Sequence, residues 1–175
     1  MKKMKRLVAV LLAGIMALAM LTACGGTPST PSTPVTRDNA LEKSVAEWTV
    51  ELGKGAKLEL TADADLTAMS DKCLPAGVKL WDAMIAGDQK AIFAAQNDMR
   101  EAFTAAANGK KVAPVDVMIP KGTEVTKQVL AQAVQNGMGD IQNILNKAGV
   151  KNPTKFGVTV TKQDKYTLIL FMVSE

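Results

Sequence analysis

The chain of 175 residues contains no histidine. That absence removes Ser-His-Asp and Cys-His catalytic machinery, histidine-ligated zinc and the usual general base near neutral pH. Aromatic residues are scarce, with two Trp, one Tyr and four Phe, so few side chains could stack on sugar rings. There are two cysteines, Cys24 and Cys73. Neither an internal repeat nor a heptad pattern runs through the chain.

What is present begins at the N-terminus. Lys2, Lys3, Lys5 and Arg6 precede an apolar run from Leu7 to Leu21, too short to span a bilayer comfortably and broken by Gly14. Leu21-Thr22-Ala23-Cys24 follows, then Gly25-Gly26. A basic start, a short apolar core and a small-residue exit describe a secretory signal, not a transmembrane helix. The Leu-Thr-Ala-Cys ending resembles the lipobox of bacterial lipoproteins, a resemblance that covers residues 1–26 alone. It implies that the Cys24 thiol receives a diacylglyceryl group, that residues 1–23 are cleaved away, and that Cys24 becomes the first residue of an extracytoplasmic protein. Two acyl chains suffice for stable attachment where one is marginal, so the implied partner is the bacterial cell membrane, held through the lipid on Cys24.

Removal of residues 1–23 changes the charge. Four of the 21 Lys and Arg lie in the leader and none of the 17 Asp and Glu, which leaves 17 against 17. A neutral chain lacks the basic footprint that nucleic-acid binding requires, so no nucleic-acid partner is expected. Glu42, Glu47, Glu51, Glu59, Asp63, Asp65 and Asp71 make the start of the domain acidic, and Lys147, Lys151, Lys155, Lys162 and Lys165 make its end basic; solvated faces account for both. With Cys24 lipidated, Cys73 has no disulfide partner, and stability must come from an apolar core.

Residues 24–37 combine the lipidated cysteine with a Thr/Pro/Ser-rich tether, and residues 38–175 are expected to form one domain. The repeating prolines of residues 25–34 favour an extended, solvated spacer. From residue 46, Trp48, Val50 and Leu52, then Leu58, Leu60 and Ala62, alternate with polar residues around Gly53-Lys54-Gly55, which reads as a β-hairpin. Leu41, Val45, Trp48 and Leu52 also fit helical spacing, with Asp38 as N-cap, so residues 38–52 are open to either state, with strand preferred for 46–52.

A short helix over Asp63–Pro75 carries Leu66, Met69 and Cys73, and a second over residues 78–86, with Leu80, Trp81, Met84 and Ile85 on its apolar face, follows a break at Leu74-Pro75-Ala76-Gly77. Gly87 stops that helix and Asp88 caps the next, residues 89–107, whose stripe is Ile92, Ala95, Met99, Phe103 and Ala106. Val115, Val117 and Ile119, alternating with Asp116 and Met118, mark a strand. Thr123 opens a helix interrupted at Asn136-Gly137-Met138-Gly139. Two final strands surround a turn at Gln163-Asp164, and the second, apolar on both faces from Leu168 to Val173, belongs in the centre of the sheet. Two strands, three helices, a strand, a broken helix and two strands give an α+β class, with helices on one face of a mainly antiparallel sheet.

Functional residue types are few. Cys73, at helical spacing with Leu66 and Met69, reads as a small buried hydrophobe. Asp63, Asp65 and Asp71 resemble a calcium loop only faintly, because Thr67 and Ala68 occupy its fifth and sixth positions; a turn and helix cap explain them better. Six methionines outside the leader sit at core-like positions. Catalytic residues, metal ligands and cofactors are therefore all expected to be none. The expected function is a lipid-anchored surface protein whose non-catalytic domain binds a protein, a wall polymer or a small ligand. The alternative is a small cell-envelope hydrolase working through carboxylates.

Overall fold

The computed structural model describes residues 35–175. In chain order they form helix α1 (Asn39–Gly55), a two-residue strand β1 (Thr61–Ala62), helices α2 (Ala64–Ala86) and α3 (Gln89–Ala107), strand β2 (Ala113–Pro120), helix α4 (Lys127–Ala148), and strands β3 (Lys155–Lys162) and β4 (Tyr166–Ser174). The sheet order is β1-β3-β4-β2, with β1 parallel to β3 and β4 antiparallel to both β3 and β2. The class is α+β, as the sequence suggests. Three finer expectations are corrected: the sheet is mixed, its elements follow a different order, and helices cover both of its faces.

The alternation along β4 explains the two layers. Ile169 and Phe171 join Val45 of α1 and Leu130, Ala133 and Ile144 of α4 in one core cluster. Tyr166, Leu168, Leu170 and Met172 join Leu66, Met69, Cys73, Leu74 and Trp81 of α2 and Met99 of α3 in the other. A strand that is apolar on both sides must be covered on both sides. The same alternation places β4 between β3 and β2, the central position its sequence calls for.

The expected hairpin over residues 46–62 is instead helix α1, a short loop and the two-residue strand β1, which pairs with β3. Asp38 accepts the Leu41 N–H at 3.0 Å as N-cap, and Leu41, Val45, Trp48 and Leu52 all face the core. Both periodicities fitted these residues; tertiary contacts decide between them. Glu42, in the first turn, accepts the Val160 N–H at 3.3 Å, and the Asp38 N–H donates to the Val160 carbonyl at 2.8 Å. The start of α1 thus satisfies polar groups on the outer edge of β3.

Two expected helix breaks are also absent. Pro75 lies inside α2, where it removes the hydrogen bond to the Asp71 carbonyl. Asp71 is exposed, so that carbonyl can turn to water, while buried Leu74, Ala76, Gly77 and Val78 hold the helix on the sheet. Helix α4 runs through Gly137 and Gly139, each costing about 1 kcal/mol relative to alanine, because Leu130, Ala133 and Ile144 anchor it on both sides. It begins after Thr126, whose hydroxyl accepts the Val129 N–H at 3.3 Å, not after Thr123. The hairpin between α2 and α3 forms as its punctuation dictates: Gly87 takes φ +71° and Asp88 accepts the Ala91 N–H at 3.1 Å.

Strand β2 closes the sheet on one side. The Lys121 N–H donates to the Lys165 carbonyl at 2.9 Å, which turns odd-numbered backbone groups toward β4 and even-numbered ones outward. The outward positions are Pro114, Asp116, Met118 and Pro120, so proline deletes two of four edge donors and blunts pairing with another strand.

Candidate functional site

The α2 face of the sheet carries the buried polar chemistry of the domain. On β3 the residues turned toward α2 are small: Gly157, Thr159 and Thr161. A Cβ at Gly157 would lie 2.0 Å from the Thr67 nitrogen and 2.1 Å from the Leu66 carbonyl carbon, so helix backbone rests directly on strand backbone. At Gly77 the packing is looser, since an added Cβ would meet the Leu168 side chain at 3.4 Å, an ordinary contact. Where Gly157 brings the backbones together, short side chains reach across. The Ser70 hydroxyl lies 2.7 Å from both the Thr159 hydroxyl and the Leu170 carbonyl. Ser70 has one proton to give, so Thr159 donates to Ser70 and Ser70 donates to Leu170, which satisfies all three groups.

Farther along the same face, the Trp81 indole N–H donates to Asp116 Oδ2 at 2.7 Å. The Trp81 and Tyr166 rings sit with centroids 6.5 Å apart. The Tyr166 hydroxyl lies 3.1 Å from the Val78 carbonyl and 3.0 Å from Asp82 Oδ1. Burial, with the Asp82 carboxylate adding to it, pushes the Tyr166 phenol above its ordinary range, so it stays a donor. Asp116 is 6 % exposed, and its Oδ1 has no hydrogen-bond partner among the described residues. Burial raises its carboxyl to about 6, against the lowering effect of Trp81. A carboxyl that titrates near neutrality suits general acid–base work, but Asp116 is sealed beneath α2 and has no free face for a substrate. It is a proton-binding group in the core.

Sequence reasoning missed this cluster. Asp116 reads there as the polar side of an alternating strand, and Trp81 as one residue of an apolar helix face. The available signal is that Asp116 is the one charged residue between Ala113 and Pro120.

The solvent-facing candidate is a cleft of about 320 Å³ at the opposite end of the sheet, lined by Asp63, Asp65, Lys110, Lys111, Lys155 and Glu175 among others. Lys155 lies 4.0 Å from Asp63, and Lys110 4.0 Å from Asp65. Asp63 is committed as N-cap of α2, accepting the Leu66 N–H at 3.1 Å, which is the cap role its sequence suggests. Glu175 accepts the Lys151 N–H at 2.8 Å and that of Asn152 at 3.4 Å, and these hold its carboxyl below the ordinary range. The cleft is zwitterionic, with Asp63 and Glu175 engaged by backbone amides.

Cys73 is buried and its thiol is pushed up to about 12 by desolvation, which makes it inert as a nucleophile. No group of three or more His, Cys, Asp or Glu among the described residues is placed to hold a metal ion, and no described helix is long and apolar enough to cross a membrane. The cleavage and lipid-attachment positions, residues 1–23 and Cys24, lie outside the described residues. Compared with known proteins, the chain matches no family model, no curated protein and no solved structure.

Proposed function

We propose that this chain is a bacterial lipoprotein: an extracytoplasmic α+β domain, held at the cell membrane by a lipid on Cys24, that works by binding and not by catalysis. The observation that carries the reading is the order of features at the N-terminus, four cations, an apolar run ending at Leu21, then Leu21-Thr22-Ala23-Cys24 and a Pro/Ser/Thr tether. The behaviour of the domain's reactive groups supports the non-catalytic half. Cys73 is a buried thiol with a raised pKa, the Asp116 carboxyl is sealed in the core, and the exposed carboxylates of the cleft cap a helix, bind loop amides or face lysines.

Mass spectrometry of the mature protein tests the anchor. The expected product begins at Cys24 and carries the added mass of a diacylglyceryl group, and Cys24→Ser moves the protein out of the membrane fraction without lowering its melting temperature. An unmodified N-terminus, or one elsewhere, overturns the anchor. Hydrolysis of peptidoglycan or glycans by the purified protein, abolished by one Asp or Glu substitution, overturns the binding role.

A further inference from the structure

Three large apolar side chains cluster in sequence around the α2–α3 turn and belong to neither core. Phe93 is 62 % exposed and Ile85 39 %. Ile92 is half-buried, and like the other two it is absent from both core clusters. Scattered exposed hydrophobics need no explanation, but these lie within nine residues of one another on a single projecting turn.

The turn sits at the end of the domain where the chain arrives from its N-terminus. Tyr166, the first residue of β4, touches Val78 and Asp82 in the C-terminal half of α2, so α2 ends beyond the β3–β4 turn. At that same end the Thr161 hydroxyl donates to the Thr36 carbonyl at 2.8 Å, and Lys162 pairs with Asp38 at 2.7 Å. Val35 packs against the α2/α3 core, and Arg37 pairs with both Glu42 and Asp71, which fixes the arrival point on the body.

From these placements we infer that the Ile85–Phe93 turn is a membrane-docking tip that inserts into the outer part of the bilayer and orients the domain on its lipid anchor. The inference rests on lipidation at Cys24. Ten residues lie between Cys24 and Val35, and the eleven steps from one to the other reach about 34 Å at the extended polyproline rise. A domain of this length has a radius of gyration of about 14 Å, so the bilayer is never more than roughly one domain diameter from residue 35. The bilayer is therefore the apolar phase held permanently beside this turn, and at the high effective concentration of a short tether a weak insertion is enough to be populated. Within the turn itself Lys90 and Asp88 offset each other in charge, so docking is driven by apolar burial and is insensitive to salt.

Hydrogen exchange of the lipidated full chain, in phosphatidylcholine vesicles, tests this against the soluble Cys24→Ser protein. The expected result is that amides of residues 84–94 exchange roughly fivefold or more slowly on vesicles, with the outer face of α4 unchanged. Phe93→Ser combined with Ile85→Ser returns the turn to the soluble rate while the protein still pellets with the vesicles. Equal exchange in both forms, protection that survives the double substitution, or slowing that appears without lipid as the protein concentration rises overturns the tip, the last in favour of self-association. Should the natural protein lack the lipid, coupling a maleimide phospholipid to Cys24 repeats the comparison, because Cys73 is buried; a failure of lipidation is then distinct from a failure of the tip.

Discussion

On the face covered by α1 and α4, Val115, Val117, Ile119, Val158, Val160, Ile169 and Phe171 meet Val45, Leu130, Ala133 and Ile144, an apolar layer to which none of the buried polar residues Ser70, Asp116, Thr159 and Thr161 belongs. On the face covered by α2 and α3, Gly157 admits helix backbone onto the strand, Ser70 bonds Thr159, and Trp81 bonds Asp116. The first layer is held by apolar area, which is non-directional and tolerant of swaps that conserve volume. The second is held by close approach and by hydrogen bonds with defined geometry, so it specifies where α2 must lie and tolerates little change.

Gly157→Ala should have the largest effect. Its Cβ would meet the backbone of Leu66 and Thr67 at near 2 Å, and neither can move without lifting α2 from the sheet. A loss of more than roughly 4 kcal/mol, or no folded protein at all, is expected in urea denaturation. A variant within about 1 kcal/mol of the parent would show that close approach does not define this face.

Leu130→Ala probes the face covered by α1 and α4, where Leu130 is 1 % exposed. The expected loss is about 3 kcal/mol, the cost of a deleted leucine side chain and the cavity left behind. The protein should still melt cooperatively, with its near-ultraviolet circular dichroism retained. If the two variants were equally damaging, the faces would not differ as argued.

Asp116 sharpens the comparison through pH. Its carboxyl titrates at 3.8 in the unfolded chain and at about 6 in the fold, so between those values the native state holds a proton that the unfolded state has released. Its contribution is complete below pH 3.8 and is lost as pH rises through 6, about 3 kcal/mol for a shift of two units. Asp38, with its pKa lowered first by Lys162, acts in the opposite sense and withdraws its support as pH falls below its ordinary range. Stability should therefore peak near pH 4–5, and Asp116→Asn should flatten the decline between pH 4 and 6. An unchanged profile in Asp116→Asn would assign the titration elsewhere.

The smallest effect is expected at Gly139 in α4, where an added Cβ meets nothing within 4 Å. Gly139→Ala should raise stability by roughly 0.5–1 kcal/mol, because it removes freedom from the unfolded chain and nothing is displaced in the fold. A loss instead would place an unseen contact on this outer face.

Much of the fold was legible wherever local chemistry and burial agreed. Gly87 and Asp88 punctuate the α2–α3 hairpin, residues 89–107 form the helix their stripe describes, and the doubly apolar run of β4 lies between two neighbours. The helix at 39–55 was not legible, because Trp48, Val50 and Leu52 satisfy a period of two as well as Leu41, Val45, Trp48 and Leu52 satisfy a helical one. The buried carboxyl was not legible either, since an aspartate in an alternating strand is ordinarily the solvated residue.

By itself, then, the sequence determined the α+β class, the caps at Asp63 and Asp88 and the central strand, since each depends on residues close together or on one strand's own two-sided hydrophobicity. Tertiary structure decided that residues 46–52 are helical, that α2 continues through Pro75, and that Gly157, Ser70 and Asp116 lie beneath α2. Those outcomes depend on pairs such as Glu42 with Val160, Ser70 with Thr159 and Trp81 with Asp116. Such partners are between 35 and 118 residues apart, and no local periodicity carries information across that separation.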